Sequence, residues 1–408
     1  MSLISYIVLA ACLIFIPRLQ DDRLLYIIVS ANILLTAIGM EWLYKALEQY
    51  TYITIRSIIF KFIALVAMFL LIHTKSDYVI YGGITIFAGC ASNIMNIINV
   101  RKYIDLKPVG NYEFRKHLKA VGVFFAMACA TTIYTHLDTL MLGFMIKGDV
   151  GDVEVGYYGA SVKIKSILVS IVTSLGTVLL PRASYYIKNG QVEEFRRITK
   201  KALNFVFILS VPLTVYFTIF AKDGIFFLSG DKYEGAIVPM QIIMPTLIFI
   251  GITNILGIQI LVPTNREKYV LYSEIAGAVT DLVLNAILIP QMESTGAAIG
   301  TLVAELVVLI VQYMFLRKEV DHAFKDIKYY KIIIATILAT AASIWVKWFD
   351  ISAFEEMNVR LVSFIKLAAS ASCFFIVYGV ALLIMKEKLV SDILSQLLNK
   401  VKGKKKVE

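Results

Sequence analysis

Several ionisable side chains of this chain lie inside strongly apolar stretches, where their charges could do chemistry. Lys163 and Lys165 interrupt the run GYYGASVKIKSILVSIVTSL at residues 156–175. A charge deep in a membrane span costs a few kcal/mol and marks a substrate path, an ion pair or a side chain that reaches the interface. Positions two apart on a helix point about 200° apart, so both lysines cannot face one cavity directly. The pair predicts a cationic patch that attracts an anion in a low-dielectric cavity, with snorkelling or a carboxylate partner as the alternative.

Carboxylates and a histidine lie at similar depths in neighbouring apolar runs. Asp138 lies where it could pair with either lysine, and His136 beside it could relay protons or simply pack between helices. Asp281 and Glu305 are the deepest acids, close to the predicted membrane centre. A protonatable acid at that depth predicts an ion-coupling site, and the alternative is an acid hydrogen-bonded inside its own helix bundle.

The first part of the chain carries its own set of candidate binding residues. Arg56 and Lys61 are predicted to line a cationic cavity, although Arg56 at a helix edge could instead anchor the topology. Asn93 and Asn96 are three residues apart and form a polar stripe on one helix face. This stripe predicts contacts with sugar hydroxyls or hydrogen bonds between helices.

The composition identifies the elements that must position these residues. The chain has 408 residues, of which 59% are hydrophobic and only 17% are charged, and its mean hydropathy is +0.76. Such a composition predicts an all-α, polytopic membrane protein. The four cysteines and four histidines show no disulfide framework and no metal-ligand spacing, so no metal site is expected.

A scan with a window of about 19 residues predicts about twelve transmembrane helices. Most connectors are short, so none can fold as a catalytic domain, and we expect a protein that is not an enzyme. The predicted spans are residues 2–16, 24–43, 54–73, 78–100, 119–143, 156–180, 202–221, 236–262, 267–289, 296–316, 331–348 and 359–385.

The basic residues lie mainly on one side of these spans. Of the 40 lysines and arginines, 28 fall in one alternating set of connectors, 8 fall in the other set, and 4 lie inside helices. Since basic residues favour the cytoplasmic side, both ends of the chain are predicted to be cytoplasmic.

Two stretches of the chain are related by an internal repeat. Leu71 aligns with Leu288 and Gly82 aligns with Gly300, with similar hydropathy and loop polarity around them. Two related bundles with a site between them are typical of secondary transporters. The second copy begins with two helices that have no counterpart in the first, so we expect about 80–90 residues to be missing ahead of Met1. The predicted domains are an incomplete four-helix lobe (1–112), a six-helix lobe (113–322), a terminal helix pair (323–385) and a basic cytoplasmic tail (386–408).

With this organisation, the chain resembles a known transporter superfamily. The matching stretches are IGMEWLYKALEQYTYITIRSIIFK (38–61), THLDTLMLGFM with VGYYGASVKI (135–164), LPRASYYIKNGQ (180–191) and LIPQMESTGAAIGTLVAE (288–305). They resemble the polysaccharide-transport branch, the O-antigen and capsule repeat-unit flippases, of the multidrug/oligosaccharidyl-lipid/polysaccharide exporter superfamily. Members have fourteen helices, so the twelve here would be helices three to fourteen. The missing first two normally help to line the cavity.

The resemblance implies a function without covalent chemistry. A member of this branch moves an undecaprenyl-diphosphate-linked oligosaccharide across the bacterial cytoplasmic membrane, for surface polysaccharide synthesis. No cofactor is expected, because a proton or sodium gradient would drive alternating access. The implied partners are the lipid-linked substrate and membrane lipids, with a polysaccharide polymerase and glycosyltransferases as further candidates and no nucleic acid.

Three other functions are alternatives to this one. A cation-coupled multidrug exporter of the same superfamily fits the spans, but the buried bases are unfavourable for cationic drugs. An inactive truncated remnant is a second alternative, because of the short start. A polyprenyl-phosphate glycosyltransferase would need a large loop with acidic or metal-binding residues, and no connector provides one.

Overall fold

The computed structural model describes most of the chain and divides it into two compact units. The described residues are 2–15, 20, 23–104, 110, 114–146, 148–348, 358–392 and 395. The first unit comprises Met1–Glu113 and the second Phe114–Glu408. Every regular element in the described residues is helical. The predicted all-α class is therefore confirmed, whereas the four predicted domains stay a prediction.

The first unit consists of apolar helices joined by short turns. A 3-10 turn, Lys75–Asp77, precedes α5, and a π-helical turn, Phe87–Ala91, joins α5 to α6. The helices are α1 (Ser2–Phe15), α2 (Arg23–Ile38), α3 (Glu41–Ala46), α4 (Tyr50–Leu71), α5 (Tyr78–Ile86) and α6 (Asn93–Val100).

The turn before α5 is stabilised by an exposed carboxylate. Asp77 accepts hydrogen bonds from the backbone N–H of His73 at 3.0 Å and of Thr74 at 2.8 Å. These donors, His73 first, lower the pKa of Asp77 below its ordinary 3.8 because they favour the ionised form.

The second unit contains longer helices that bend at defined points. A 3-10 turn, Asp231–Ala236, precedes α11, a π-helical segment, Asn254–Leu261, follows α12, and a 3-10 turn, Ile344–Trp348, follows α14. The helices are α7 (Phe114–Met145), α8 (Asp149–Lys188), α9 (Val192–Ile219), α10 (Ala221–Ser229), α11 (Ile237–Ile243), α12 (Thr246–Thr253), α13 (Glu267–Lys325), α14 (Tyr329–Ser343) and α15 (Val359–Ile384).

The helix α13 is interrupted at a single residue. Glu293 has φ 53 and ψ −131, outside the helical region. The helix restarts at Ser294, whose backbone N–H donates to Oε2 of the buried Glu154 at 3.1 Å. This bond satisfies one of the N–H groups that a helix start leaves without a partner. The predicted spans 267–289 and 296–316 are therefore two parts of one broken helix.

The structure is consistent with the predicted transmembrane spans. Among the described residues, eight helices are long and apolar enough to cross a membrane. A ninth is obtained if the pair Asp231–Ile243 and Thr246–Leu261, bent by 47°, counts as one span. The helix α1 is shorter, as the sequence indicates. The chain is thus a multi-pass membrane protein, and the number twelve stays a prediction.

The core of the second unit is a packed cluster of aliphatic side chains. Leu203, Met240, Ile243 and Leu247 are fully buried in it. Lipid tails are as apolar as these residues, so close van der Waals packing stabilises the bundle more than removal from solvent does. A second cluster, which includes Tyr216 and Phe374, packs α14 and α15 against α9.

Candidate functional site

A cavity of about 430 Å³ lies inside the second unit. The helices α7, α8, α12 and α13 and the π-helical segment all contribute to its wall. Its volume lies within the usual range of small-molecule sites, about 300–1,000 Å³. The ionisable and amide side chains of its lining are Asp138, Tyr158, Lys165, Asn254, Glu274, Glu305 and Gln312.

Asp138 is the centre of a hydrogen-bond network at one end of this cavity. It is 2% exposed, and Asn285 Nδ2 donates to its Oδ1 at 2.6 Å. Thr301 Oγ1 donates to its Oδ2 at 2.9 Å, and the Tyr158 hydroxyl donates to the same oxygen. This carboxylate therefore links α7 to α8 and to both parts of α13.

Asp281, one turn before Asn285 on α13, completes the cluster. It is fully buried, yet neither of its carboxylate oxygens accepts a hydrogen bond from the described residues. The same holds for Asn285 Oδ1. Asp138, Lys165 and Glu305 are its electrostatic neighbours. A proton or a cation bound between Asp138 and Asp281 would relieve the repulsion between the two carboxylates.

A glycine on the second part of α13 gives this cluster its room. A Cβ placed on Gly300 would overlap Asn285 Oδ1 and lie 3.2 Å from Asp281 Oδ1. The glycine therefore allows the two parts of α13 to approach closely, as small residues do in membrane bundles. Asp138, Asp281, Asn285 and Thr301 together form an oxygen-rich site, which we call the acidic cluster.

The two lysines of α8 have different environments. Lys165 is half-buried and lines the cavity, whereas Lys163 is exposed and is not part of the lining. Positions two apart on a helix point about 200° apart, which explains why only one of the two lysines lines the cavity. None of the ion pairs found between described residues joins Asp138 to either lysine. Their predicted role as substrate ligands stays a prediction.

Of the two other predicted coupling residues, Glu305 lines the cavity and His136 does not. Glu305 is buried and lines the cavity. Glu274 lies on the same wall and accepts a hydrogen bond from Thr131 Oγ1 at 3.3 Å. His136 is exposed and lies outside the lining. The cavity wall is therefore richer in acids than in bases.

In the first unit, Arg56 is buried at the start of α4. It is 6% exposed, its Nη2 lies 3.8 Å from Glu41 Oε2, and its guanidinium lies 6.0 Å from the ring centre of Tyr52. Glu41 also pairs with Lys45 at 2.9 Å. The Nε and Nη1 groups of Arg56 have no hydrogen-bond acceptor in the described part of the chain. Lys61 is exposed.

The predicted asparagine stripe is buried between helices. Asn96 Nδ2 donates to the carbonyl of Gly39 at 2.6 Å, and the Tyr44 hydroxyl donates to the Asn96 carbonyl at 2.8 Å. Asn93 is buried against Gly39 as well. The sequence left two alternatives for this stripe, hydrogen bonds between helices or contacts with sugar hydroxyls. The structure shows hydrogen bonds of the first kind, and the role as a polar lining stays a prediction.

Sequence reasoning missed Tyr158 and Thr301. Tyrosine and threonine are ordinary residues in membrane spans, so neither drew attention as a partner of Asp138. A signal was nevertheless present in GAAIGT, residues 296–301, because glycines four apart indicate close helix contact.

Comparison with known proteins supports the resemblance drawn from the motifs. The model of the family described as lipid II flippase MurJ matches residues 23–370. A relative from Escherichia coli (strain K12), named "Putative O-antigen transporter", is 25% identical over 278 residues, which are 68% of this chain and 66% of that protein. A relative of the same name from Shigella dysenteriae is 24% identical over 326 residues, 76% of this chain and 77% of its own. This chain thus spans just under two thirds of the first relative.

A solved structure shows the same fold. It is named "Lipid II flippase MurJ, inward closed conformation" and matches with a TM-score of 0.58 at 16% identity. The match covers 89% of this chain and 75% of that one. The family match covers most of the sequence and includes parts of both units, and it confirms the resemblance to the flippase superfamily. The chain therefore belongs to the lipid II flippase MurJ family.

Proposed function

We propose that this protein moves a lipid-linked oligosaccharide from the inner to the outer leaflet of a bacterial cytoplasmic membrane. The observation that carries the proposal is the flippase-family match over residues 23–370, and relatives named as O-antigen transporters support it. The cargo is an oligosaccharide on undecaprenyl diphosphate. The protein moves this cargo across the membrane and makes or breaks no covalent bond in it.

Recognition of the cargo needs positive charge for the diphosphate. Arg56 is the best candidate, since it is buried and two of its N–H donor groups find no acceptor within the described part of the chain. A planar guanidinium suits phosphate oxygens, which it can bind with two parallel hydrogen bonds. Lys61 and Lys163 are further candidates for this contact.

A proton or sodium gradient supplies the driving force through the acidic cluster. Two oxygens of Asp281 and one of Asn285 accept no hydrogen bond from the residues that the structure describes, and such oxygens are hard ligands suited to a small cation or a proton. Neutralising the Asp138–Asp281 pair removes the repulsion between α7 and the first part of α13. Binding of the ion thereby favours one packing of these helices over another, which is the requirement for alternating access.

The orientation follows from the charge distribution. The basic connectors and the carboxyl terminus face the cytoplasm in this proposal. Glycosyltransferases must then supply the lipid-linked cargo on that side, and a polymerase or ligase consumes it on the other side.

Complementation tests the proposal directly. A strain that lacks its own repeat-unit flippase is expected to regain surface polysaccharide when it expresses this chain. Asp281→Asn is expected to lower export at least tenfold, with equal protein in the membrane, because it removes the charge that binds the driving ion. Ethidium efflux from the same cells is the control. If polysaccharide stays absent while efflux rises in cells with well-inserted protein, the drug-exporter function is correct instead.

A further inference from the structure

Lys165 lies among the acids of the cavity in the second unit. The charged groups that face it are Asp138 from α7 and Glu274, Asp281 and Glu305 from α13. It takes part in none of the ion pairs and side-chain hydrogen bonds found between described residues. Its long, flexible side chain can therefore change position inside the cavity.

Asp281 creates the need for such a mobile charge. It is fully buried and accepts no hydrogen bond from the described residues, and a buried carboxylate without compensation strongly destabilises the protein. When the driving ion occupies the acidic cluster, the ion compensates Asp281. When the ion has left, a positive charge that takes its place would again compensate Asp281.

We propose that the Lys165 ammonium is the internal substitute for the driving cation. It lies against Asp281 when the acidic cluster has released its ion, and an arriving ion displaces it towards Glu305 and Glu274. The inference rests on the proposed ion coupling. It assigns Lys165 to the energising step, in place of the substrate contact that the sequence predicts.

Competition between the two positive charges has a measurable consequence. An ion that must displace the ammonium binds more weakly than one that enters an open site, so Lys165→Met is expected to tighten apparent sodium binding about tenfold. Lys165→Arg keeps the charge and is expected to bind sodium like the wild type. Lys163→Met is the matched control. It removes the same charge from a lysine that lies two residues before Lys165 on the same helix and outside the cavity lining.

The experiment measures thermal unfolding of the purified full chain in detergent against sodium chloride, with choline chloride holding the ionic strength constant. The sodium dependence of the midpoint gives the apparent dissociation constant. A second measurement adds methylammonium to Lys165→Ala, in which this small amine should compete with sodium as the missing side chain did.

The outcomes separate this inference from the proposed coupling. Tighter sodium binding in Lys165→Met, unchanged binding in Lys163→Met and competition by methylammonium in Lys165→Ala support it. If Asp281→Asn abolishes a sodium response that Lys165→Met leaves at the wild-type value, the coupling site stands and the substitute role is overturned. If sodium stabilises neither the wild type nor Lys165→Met, sodium coupling and this inference fall together.

Discussion

Gly300→Ala probes how tightly the acidic cluster is packed. The new methyl group would overlap Asn285 Oδ1 and lie 3.1 Å from Asn285 Cγ and 3.2 Å from Asp281 Oδ1. The Asn285 amide must therefore retreat by about 1 Å to regain an ordinary contact distance of about 3.5 Å. Its hydrogen bond to Asp138, now 2.6 Å long, would then lengthen towards the limit of a useful bond.

The expected loss of stability follows from these contacts. Overpacking costs about 1–3 kcal/mol, and losing a hydrogen bond to a charged group costs about 1.5–3 kcal/mol. Replacing glycine by alanine inside a helix by itself stabilises the protein by about 0.5–1 kcal/mol, which offsets part of this loss. Gly300→Ala is therefore expected to lower the free energy of unfolding by about 2–5 kcal/mol.

Thermal unfolding in detergent checks this value against a matched control. Gly379 on α15 has open space around the position of a Cβ, so Gly379→Ala is expected to leave the midpoint unchanged or raise it slightly. Gly300→Ala should lower the midpoint by several degrees and weaken the response to sodium. A Gly300→Ala protein as stable as Gly379→Ala, with an intact sodium response, would refute the packing of the cluster described above.

Two further predictions concern the ends of helices. Lys331 is buried and its Nζ donates to the carbonyls of the two residues that follow α15, so Lys331→Met is expected to cost about 1.5–3 kcal/mol of unfolding free energy. The exposed Lys328→Met should cost nothing measurable, and equal unfolding midpoints for the two variants would contradict this reasoning. Asp77 has a lowered pKa, so its contribution to stability is present above pH 3.8 and is lost as the pH falls below that value. The difference in unfolding midpoint between the wild type and Asp77→Asn should therefore shrink as the pH falls below 3.8, and a difference that does not change with pH would show that the carboxylate charge is not involved.

The apolar helices can be predicted from the sequence, because a membrane span requires a long run of residues with few charges and such runs can be read directly from the sequence. The break of α13 is less visible, since a single non-helical residue, Glu293, replaces the loop expected at 290–295. The helical flank that begins at Ser294 is held by a tertiary contact with Glu154, and no local pattern predicts such a contact. Boundaries set by distant partners are beyond local sequence reasoning.

The candidate site, like the fold, could be predicted only in part from the sequence. Asp138 and Asp281 are recognisable from the sequence, because a carboxylate in an apolar run has few uses. Helix geometry also predicts that Lys163 and Lys165 face different ways, although it does not say which one faces the cavity. That choice depends on how α8 rotates against α7 and α13, and hence on packing across the whole unit.

Buried polar atoms without partners occur in the described residues of both units, and the proposed function gives them a use. Among the described residues, the buried Arg56 of the first unit has two donor groups without acceptors, and the buried Asp281 of the second unit has two acceptors without donors. The predicted repeat places Glu274 and Asp281 opposite Ser57 and Ala64, so copies of similar hydropathy carry different charges. Unsatisfied buried charge is unfavourable in a protein that only has to fold. It becomes useful when ligands supply the missing partners, an anion for the arginine and a cation for the aspartate. The proposed function, transport of a diphosphate-linked cargo with the energy of a cation gradient, would use both kinds of unsatisfied group in one chain.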